Sequence, residues 1–159
     1  MKVLITGANG FLGARLAQRL AREGNSVRAM VRRLQDYPEL RHPLIECVKG
    51  DISDKASLKA ALQGVQQVYH LAALATDWAA DFRDFYRINV LGTLNVLEAA
   101  REAGVAKIVI TSTAGTIGPP DPSDVHPVDE NHVRLVDFML DYESSKAIAD
   151  ERILQHVLQ

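Results

Sequence analysis

Short apolar runs and longer stretches of helical spacing alternate along the whole chain. The short runs have the length of strands, and several of them end at glycines or charged residues. The longer stretches repeat apolar residues every three or four positions, the period of a helix that packs on one face. The predicted strands are 2–6, 27–31, 45–48, 68–71 and 107–111. The predicted helices are 11–23, 55–62, 81–103 and 142–159.

This order of elements predicts an α/β fold, a Rossmann-type doubly wound parallel sheet with helices on both faces. A crossover helix between successive strands makes those strands parallel, and parallel sheets are covered on both faces. Ligands of such sheets bind at the carboxyl ends of the strands. Asp51 or Ser53 is placed to cap the second helix. Residues 115–136 are rich in Gly, Pro, Asp and His, which predicts a long loop with an active-site role or disorder.

Composition narrows the class of protein. A chain of 159 residues with 47% hydrophobic and 24% charged residues fits one globular domain, 1–159, with its own core. The net charge of -2, without a basic cluster, favours neither nucleic acid nor a membrane as partner. Cys47 is the only cysteine and is predicted to face the core from its strand, which fits a reducing compartment. We recognise no signal peptide or membrane span, so we expect a cytoplasmic protein.

Three glycines stand between the first predicted strand and the first predicted helix. Gly7, Gly10 and Gly13 form the spacing GxxGxxG. At this position backbone N–H groups and a helix N-terminus can hold a pyrophosphate, and a side chain would block its approach. The sequence therefore predicts a dinucleotide site rather than a tight turn without ligand. The other residues of this turn that we expect to contact the dinucleotide are Asn9, Phe11 and Leu12.

The residues after the second strand bear on which dinucleotide is bound. NAD-binding units carry an acidic residue there for the adenosine ribose, whereas this chain has Arg32 and Arg33. A carboxylate would repel a 2′-phosphate, and a guanidinium binds one through charge-assisted hydrogen bonds. We therefore expect NADP, with NAD possible, and Arg32 as the first choice. The alternatives are that both arginines are solvated and that Asp36 reaches the ribose.

Tyr142 and Lys146 are four residues apart on a predicted helix, which puts them on one face of it. A phenol with an ordinary pKa of ~10 is a poor base at neutral pH, but a nearby ammonium favours the phenolate. A hydroxyl of Thr111, Ser112 or Thr113 would project into the ligand crevice from the end of the fifth strand. The YxxxK spacing is weak evidence by itself, and strand-end hydroxyls are often only caps.

Other conspicuous residues favour structural roles. His70 lies at a strand end without a second histidine at ligand spacing, so we expect a structural histidine and no metal. Trp78, Phe82 and Phe85 have near-helical spacing, and we expect them in the core rather than at a substrate mouth or an interface.

Five segments, in one order, carry a family resemblance: TGANGFLG, HLAA, YRINVLGT, ITSTAGTIG and YESSK. The chain resembles the short-chain dehydrogenase/reductases of the extended or the closely related atypical type, with their NAD-dependent epimerases and dehydratases. The segments ITSTAGT and VRR resemble dihydroflavonol-reductase-like members. The resemblance implies hydride transfer at a secondary alcohol or ketone of a small molecule. It makes Tyr142 the catalytic acid/base, has Lys146 activate Tyr142 and hold the nicotinamide ribose, and puts Thr113 in place of the usual serine. Ser112 is the next candidate.

The resemblance also extends the set of cofactor-binding residues. A residue pair after the third strand contacts adenine in relatives, although Asp51 is equally suited to capping a helix. A turn of small residues follows the fourth strand, where it lets the cofactor approach closely. Asn89 stabilises a helix irregularity near the active site, the alternative being an ordinary exposed asparagine. The cofactor-binding residues added in this way are Asp51, Ile52, Leu71, Ala72, Ala73 and Asn89. Tyr142 and Lys146 are also expected to contact the cofactor.

Extended family members continue for about as long again past the YxxxK helix. We therefore expect the C-terminal strands and the substrate domain to be missing, and the chain alone to bind dinucleotide weakly and turn over little. The alternative functions are nucleotide-sugar epimerisation or dehydration with a tightly held NAD, and a noncatalytic dinucleotide sensor or fragment. Relatives dimerise through the long helix and the YxxxK helix, so a homodimer is expected by analogy.

Overall fold

The structure, a computed structural model, describes residues 1–117, 127–129 and 140–157. Most of the predicted loop 115–136 and the last residues of the final predicted helix lie outside the described residues. Five strands form one sheet in the order β3-β2-β1-β4-β5, and every pairing is parallel. The strands are β1 (Lys2–Thr6), β2 (Ser26–Val31), β3 (Ile45–Lys49), β4 (Gln67–His70) and β5 (Lys107–Ile110).

Helices connect the strands and follow the last of them. They are α1 (Phe11–Arg22), α2 (Lys55–Ala61), α3 (Arg83–Phe85), a π-helical segment (Tyr86–Leu91), α4 (Gly92–Glu102) and α5 (Asp141–Val157). Short 3₁₀ turns lie at Pro38–Leu40 and Ala114–Thr116. Within the described ranges, no helix combines the length and apolar composition that crossing a membrane requires.

The sheet is covered on both faces, which confirms the predicted doubly wound fold. Alternate residues of one strand point to opposite faces, so Val3 and Ile5 of β1 pack on one side and Leu4 on the other. The first side is completed by apolar residues of α1: Ala14, Ala17, Leu20 and Ala21. The second side is completed by α2 and α4: Leu58, Ala61, Val96, Ala99 and Ala100. Cys47 of β3 is half-buried and packs against the first side, as predicted.

The cap of α2 differs from the prediction. Asp54, rather than Asp51 or Ser53, precedes the helix, and its carboxylate accepts a 3.0 Å hydrogen bond from Ala56 N. Asp51 instead closes its own turn, since its Oδ1 accepts from Ser53 N at 2.9 Å and from Ser53 Oγ at 2.7 Å. The carboxylate of Asp51 is therefore not needed by the helix.

The prediction of three core aromatics was wrong for two of them. Phe85 is 2% exposed and belongs to the core, but Trp78 is 74% and Phe82 is 68% exposed. Helical structure begins only at Arg83, so the helical spacing that was used for Trp78 and Phe82 does not extend back to them. Both lie in the connection that leaves β4.

Candidate functional site

A cleft of about 670 Å³ lies at the carboxyl ends of the strands, a volume typical of small-molecule sites. It is bordered by the segments that follow β1, β2, β3 and β4. Residues predicted to bind the cofactor that line it are Gly7, Asn9, Gly10, Phe11, Leu12, Gly13, Arg32, Asp51, Ile52, Leu71, Ala72 and Ala73.

A side chain would meet different surroundings at each of the three glycines of the first turn. Gly7 has φ of +67°, and a Cβ there would lie 2.8 Å from Ala72 N in the turn after β4. A Cβ on Gly13 would overlap the Gly7 carbonyl and lie 2.9 Å from Ala8 Cα. A Cβ on Gly10 would meet only the Gly7 carbonyl oxygen, at 3.2 Å. The chain's own packing therefore requires Gly7 and Gly13, whereas Gly10 faces the open cleft.

The start of α1 has the properties of an anion site. Gly10 precedes the helix, offers no side-chain cap to the first N–H groups, and the first turn contains no acidic residue. Those N–H groups lack carbonyl partners within the helix and carry its positive dipole end. Phe11 and Leu12 are 79% and 55% exposed at this point and line the cleft. The turn therefore fits a pyrophosphate, with donors present and repelling carboxylates absent from the first helical turn.

Charged side chains of both signs line the cleft. Arg32, exposed after β2, lines it, whereas Arg33 does not. Asp36 is held by both of its oxygens in an ion pair with Arg41 and is not a lining residue. Hydrogen bonds from Ser53 hold the pKa of Asp51 below its ordinary value, with nearby guanidinium groups lowering it further. Asp51 is therefore an anion at neutral pH.

A buried chain of hydrogen bonds connects the turns that border the cleft. Thr6 Oγ1 accepts from the N–H groups of Leu71 and Ala72, each at 3.2 Å, and lies 2.7 Å from His70 Nδ1. His70 Nε2 lies 3.0 Å from Thr93 Oγ1, which donates to the Asn89 carbonyl at 2.6 Å.

The donor and acceptor roles along these hydrogen bonds fix the tautomer of His70. Because Thr6 already accepts twice, its hydroxyl donates to Nδ1, and His70 donates from Nε2 to Thr93. Burial, with a smaller contribution from the Lys146 charge, lowers the pKa of His70 to about 3. The predicted structural role of His70 is confirmed by these partners. Among the described residues no group of three or more potential metal ligands occurs.

Asn89 lies in the π-helical segment and is 0% exposed. Its Oδ1 accepts from Leu74 N at 2.7 Å, and its Nδ2 donates to the Leu74 carbonyl at 3.2 Å and to Ser145 Oγ at 2.9 Å. Both amide protons are therefore used inside the protein, and Asn89 does not line the cleft. The helix irregularity expected at Asn89 is present as the π-helical segment, whereas its stabilisation by Asn89 and the contact of Asn89 with a cofactor stay predictions.

Two polar contacts connect the end of β5 to α5. Lys146 Nζ, 3% exposed as a residue, donates to the Thr111 carbonyl at 2.8 Å. Ser112 Oγ donates to Asp150 Oδ2 at 2.5 Å, one helical turn beyond Lys146. Burial lowers the pKa of Lys146, and the Asp150 carboxylate opposes that shift. The strand end is therefore fixed against the helix that carries the YxxxK pair.

Thr113 and Tyr142 lie close to this junction but outside the cleft lining. Thr113 precedes the turn Ala114–Thr116, and its Oγ1 accepts from Gly115 N at 3.4 Å. A Cβ on Gly115 would lie 2.7 Å from Glu143 Oε1, which follows Tyr142 directly. Tyr142 is half-buried, and neither it, Lys146 nor Thr113 lines the cleft. The structure thus brings the two predicted catalytic segments side by side.

Sequence reasoning missed several lining residues. Gly50 directly follows a strand, so the strand-end rule could have found it. Thr111, one of the three hydroxyl residues predicted to project into the crevice, does line the cleft. Arg87 carried no such signal, because its position depends on the π-helical turn. The remaining missed lining residues are Met30, Ser53, Leu74, Ala75 and Ile88.

Known proteins resemble the chain over nearly all of its length. A 2-alkyl-3-oxoalkanoate reductase of Stenotrophomonas maltophilia is 35% identical over 158 residues, which are 97% of this chain and 46% of that protein. A putative dihydroflavonol 4-reductase of Synechocystis is 36% identical over 94% of this chain and 43% of its own length. The chain thus spans about half the length of the curated relatives it matches.

The fold is shared with solved structures. The UDP-glucose 4-epimerase of Thermus thermophilus, determined in complex with NAD, superposes with a TM-score of 0.85 at 28% identity. The match covers 99% of this chain and 51% of that one. The family profile described as the NAD dependent epimerase/dehydratase family matches residues 3–157. The chain therefore belongs to the NAD-dependent epimerase/dehydratase family.

Proposed function

We propose that residues 1–159 are the dinucleotide-binding domain of an NADP-dependent oxidoreductase that acts on a secondary alcohol or ketone. The observation that carries this proposal is the cleft, which is lined by both the glycine turn and Arg32. An uncapped helix start and a guanidinium at one cleft fit a ligand that carries a pyrophosphate and a further phosphate.

The residues around the cleft fit the parts of the dinucleotide. The turn containing Gly10 would hold the pyrophosphate through backbone N–H groups. Asp51 and Ile52 would border the adenosine, and Arg32 would bind its 2′-phosphate. The turn at Ala72 would allow close approach further along the cleft. When bound, the nicotinamide supplies or accepts a hydride.

The chain's own groups supply the proton. Tyr142 exchanges a proton between its phenol and the substrate oxygen, and Thr113 donates a hydrogen bond to the same oxygen. Lys146 is buried one helical turn from Tyr142 on α5. The carbonyl of Thr111 holds the ammonium by one hydrogen bond, which leaves two further protons for a ribose hydroxyl and other acceptors.

The contacts of the neighbouring hydroxyl favour Thr113 over Ser112. Ser112 donates its only hydroxyl proton to Asp150, whereas the recorded contact of Thr113 Oγ1 is a long one in which it accepts. The Thr113 proton is not used in that contact. Threonine keeps the hydroxyl of the usual serine and adds a methyl that restricts its rotamer.

Epimerisation of a nucleotide sugar is the second candidate. It is favoured by the likeness to the UDP-glucose 4-epimerase that was solved with NAD. Two observations separate the candidates: an epimerase would copurify with NAD and would consume no NADPH, whereas a reductase consumes one NADPH for each ketone reduced.

Substitution of Tyr142 tests the oxidoreductase proposal. We would follow NADPH oxidation with a 2-alkyl-3-oxoalkanoate, the substrate class in the name of the Stenotrophomonas relative. Tyr142→Phe should lower a slow wild-type rate by roughly 100-fold or more, with cofactor affinity unchanged within about twofold. Tyr86→Phe, at an exposed tyrosine outside the cleft lining, is the matched control. Equal rates for wild type and Tyr142→Phe would reject the mechanism.

A further inference from the structure

We propose that Arg87 is a second selectivity residue, which together with Arg32 forms a pair of guanidinium groups for the 2′-phosphate of the dinucleotide. This inference rests on the proposed NADP-binding function and adds a residue to that site. Arg87 comes from the helical connection between β4 and β5, so the two arginines reach the cleft from different elements.

The π-helical segment sets the direction of Arg87. The N–H of Gly92 bonds to the Arg87 carbonyl, an i→i+5 contact that closes a widened turn. In a regular α-helix, five steps of ~100° would put these residues roughly 140° apart around the axis. The wider turn instead brings Arg87 closer to the side of the helix that carries Gly92.

The side of the helix that carries Gly92 packs against the adenosine end of the cleft. A Cβ on Gly92 would lie 2.6 Å from Ile52 Cδ1, so the helix and this loop are in close contact. Asn95, about one turn further on, donates to the Ile52 carbonyl at 3.0 Å. The turn that carries Arg87 therefore lies next to the loop of Asp51 and Ile52, and Arg87 lines the cleft together with both.

The charges at this end of the cleft make a second cation useful. The positive charges of Arg32 and Arg87 both lower the pKa of the Asp51 carboxylate. Both guanidinium groups therefore lie close enough to one point, the Asp51 carboxylate, to interact with a charge there. A 2′-phosphate at that point is repelled by Asp51. Arg32 alone only balances the Asp51 charge, so the guanidinium of Arg87 adds a second cation and further N–H donors for the phosphate, and Asp84 shares that second charge.

Arg87 is available for such a ligand. Its present partner is Asp84, at 2.9 Å, and the Arg87 side chain is 65% exposed. An exposed ion pair of this kind is weak, and a guanidinium has five N–H donors. Arg87 can therefore keep Asp84 and still donate to a phosphate, and Asp84 then limits the rotamers that the arginine adopts.

Calorimetric titration of the chain with adenosine 2′,5′-bisphosphate and with adenosine 5′-monophosphate tests the inference. The two ligands differ only in the 2′-phosphate, so the ratio of their dissociation constants reports that group alone. Arg87→Ala should lower the preference for the bisphosphate by about 5–10-fold while monophosphate affinity stays within about twofold. Arg87→Lys should give an intermediate preference, because lysine keeps the charge but loses the planar fork. Arg101→Ala, in the last turn of α4 and outside the cleft lining, should behave as wild type.

The outcomes separate this inference from the function on which it rests. If wild type prefers the bisphosphate and Arg87→Ala keeps the full preference, Arg87 has no part in the site and only this inference is overturned. If wild type binds both ligands equally, there is no 2′-phosphate selectivity, and both the arginine pair and the NADP preference are wrong. If wild type binds neither ligand nor NADP, the proposed dinucleotide function itself fails.

Discussion

Asn89 Nδ2 in the π-helical segment donates a 2.9 Å hydrogen bond to Ser145 Oγ in α5, three residues after Tyr142 and directly before Lys146. Ser145 Oγ in turn donates to the Tyr142 carbonyl at 2.7 Å. The helix that carries the YxxxK pair is therefore fixed to the same widened turn that directs Arg87 toward the cleft.

Asn89→Leu should destabilise the fold. Leucine has a similar size but leaves the part-buried N–H and carbonyl of Leu74 without the amide, and Ser145 Oγ keeps only the Tyr142 carbonyl. We expect a loss of about 2–4 kcal/mol in the free energy of unfolding, measured by urea denaturation. Ser145→Ala removes the bonds to Asn89 and to the Tyr142 carbonyl but leaves Leu74 its amide partner, and it should cost less, about 1–2 kcal/mol. Similar unfolding midpoints for Asn89→Leu and wild type would contradict the role given to this side chain.

The glycine turn allows folding and binding to be separated. Gly13→Ala should lower stability by about 1–3 kcal/mol, because its methyl overlaps the backbone of Gly7 and Ala8. Gly10→Ala meets only one oxygen at 3.2 Å, so the variant should fold and should weaken dinucleotide binding. Thermal unfolding and calorimetric titration measure the two effects. The explanation fails if Gly13→Ala is as stable as wild type, or if Gly10→Ala binds the dinucleotide normally.

Stability should fall in mild acid because of His70. The pKa of buried His70 is lowered to about 3 from its ordinary 6.5, so the native state excludes a proton that the unfolded chain binds. Above pH ~6.5 neither state binds that proton, and His70 gives no pH dependence. Between pH ~6.5 and ~3 only the unfolded chain binds it, so stability decreases by roughly 1.4 kcal/mol per pH unit as the pH falls.

Urea denaturation at several pH values between 7 and 4 measures this slope. His70→Gln should lose that part of the pH dependence, even though the variant is less stable at every pH. His42→Gln, at a half-buried histidine outside the network, should keep the wild-type slope. Parallel pH profiles for wild type and His70→Gln would show that His70 is protonated alike in both states.

Much of the fold was predictable because local patterns dictate it. The apolar runs in β1 and β2 and the glycines between strand and helix gave the element order and the position of the cleft. The GxxGxxG turn works through backbone geometry over seven residues, which a sequence displays directly. The identity of Arg32 as a lining residue followed from its place after a strand.

The remainder depends on contacts between distant residues. Asp54 replaced the predicted cap of α2 because Asp51 was already used by Ser53, a choice that sequence spacing leaves open. Trp78 lies at the surface because the helix starts later than the apolar spacing implied. Arg87 lines the cleft from the π-helical segment, in which buried Asn89 has partners 15 and 56 residues away along the chain.

The most direct test of the central claim is calorimetric titration of the chain with NADP and with NAD, repeated on Arg32→Ala. The account predicts that wild type binds NADP more tightly than NAD. Arg32→Ala should weaken NADP binding by about 10–100-fold, the loss expected for hydrogen bonds to a charged group, and leave NAD within about twofold. An NADP preference that is unchanged in Arg32→Ala, or no binding of either dinucleotide to wild type, would contradict it.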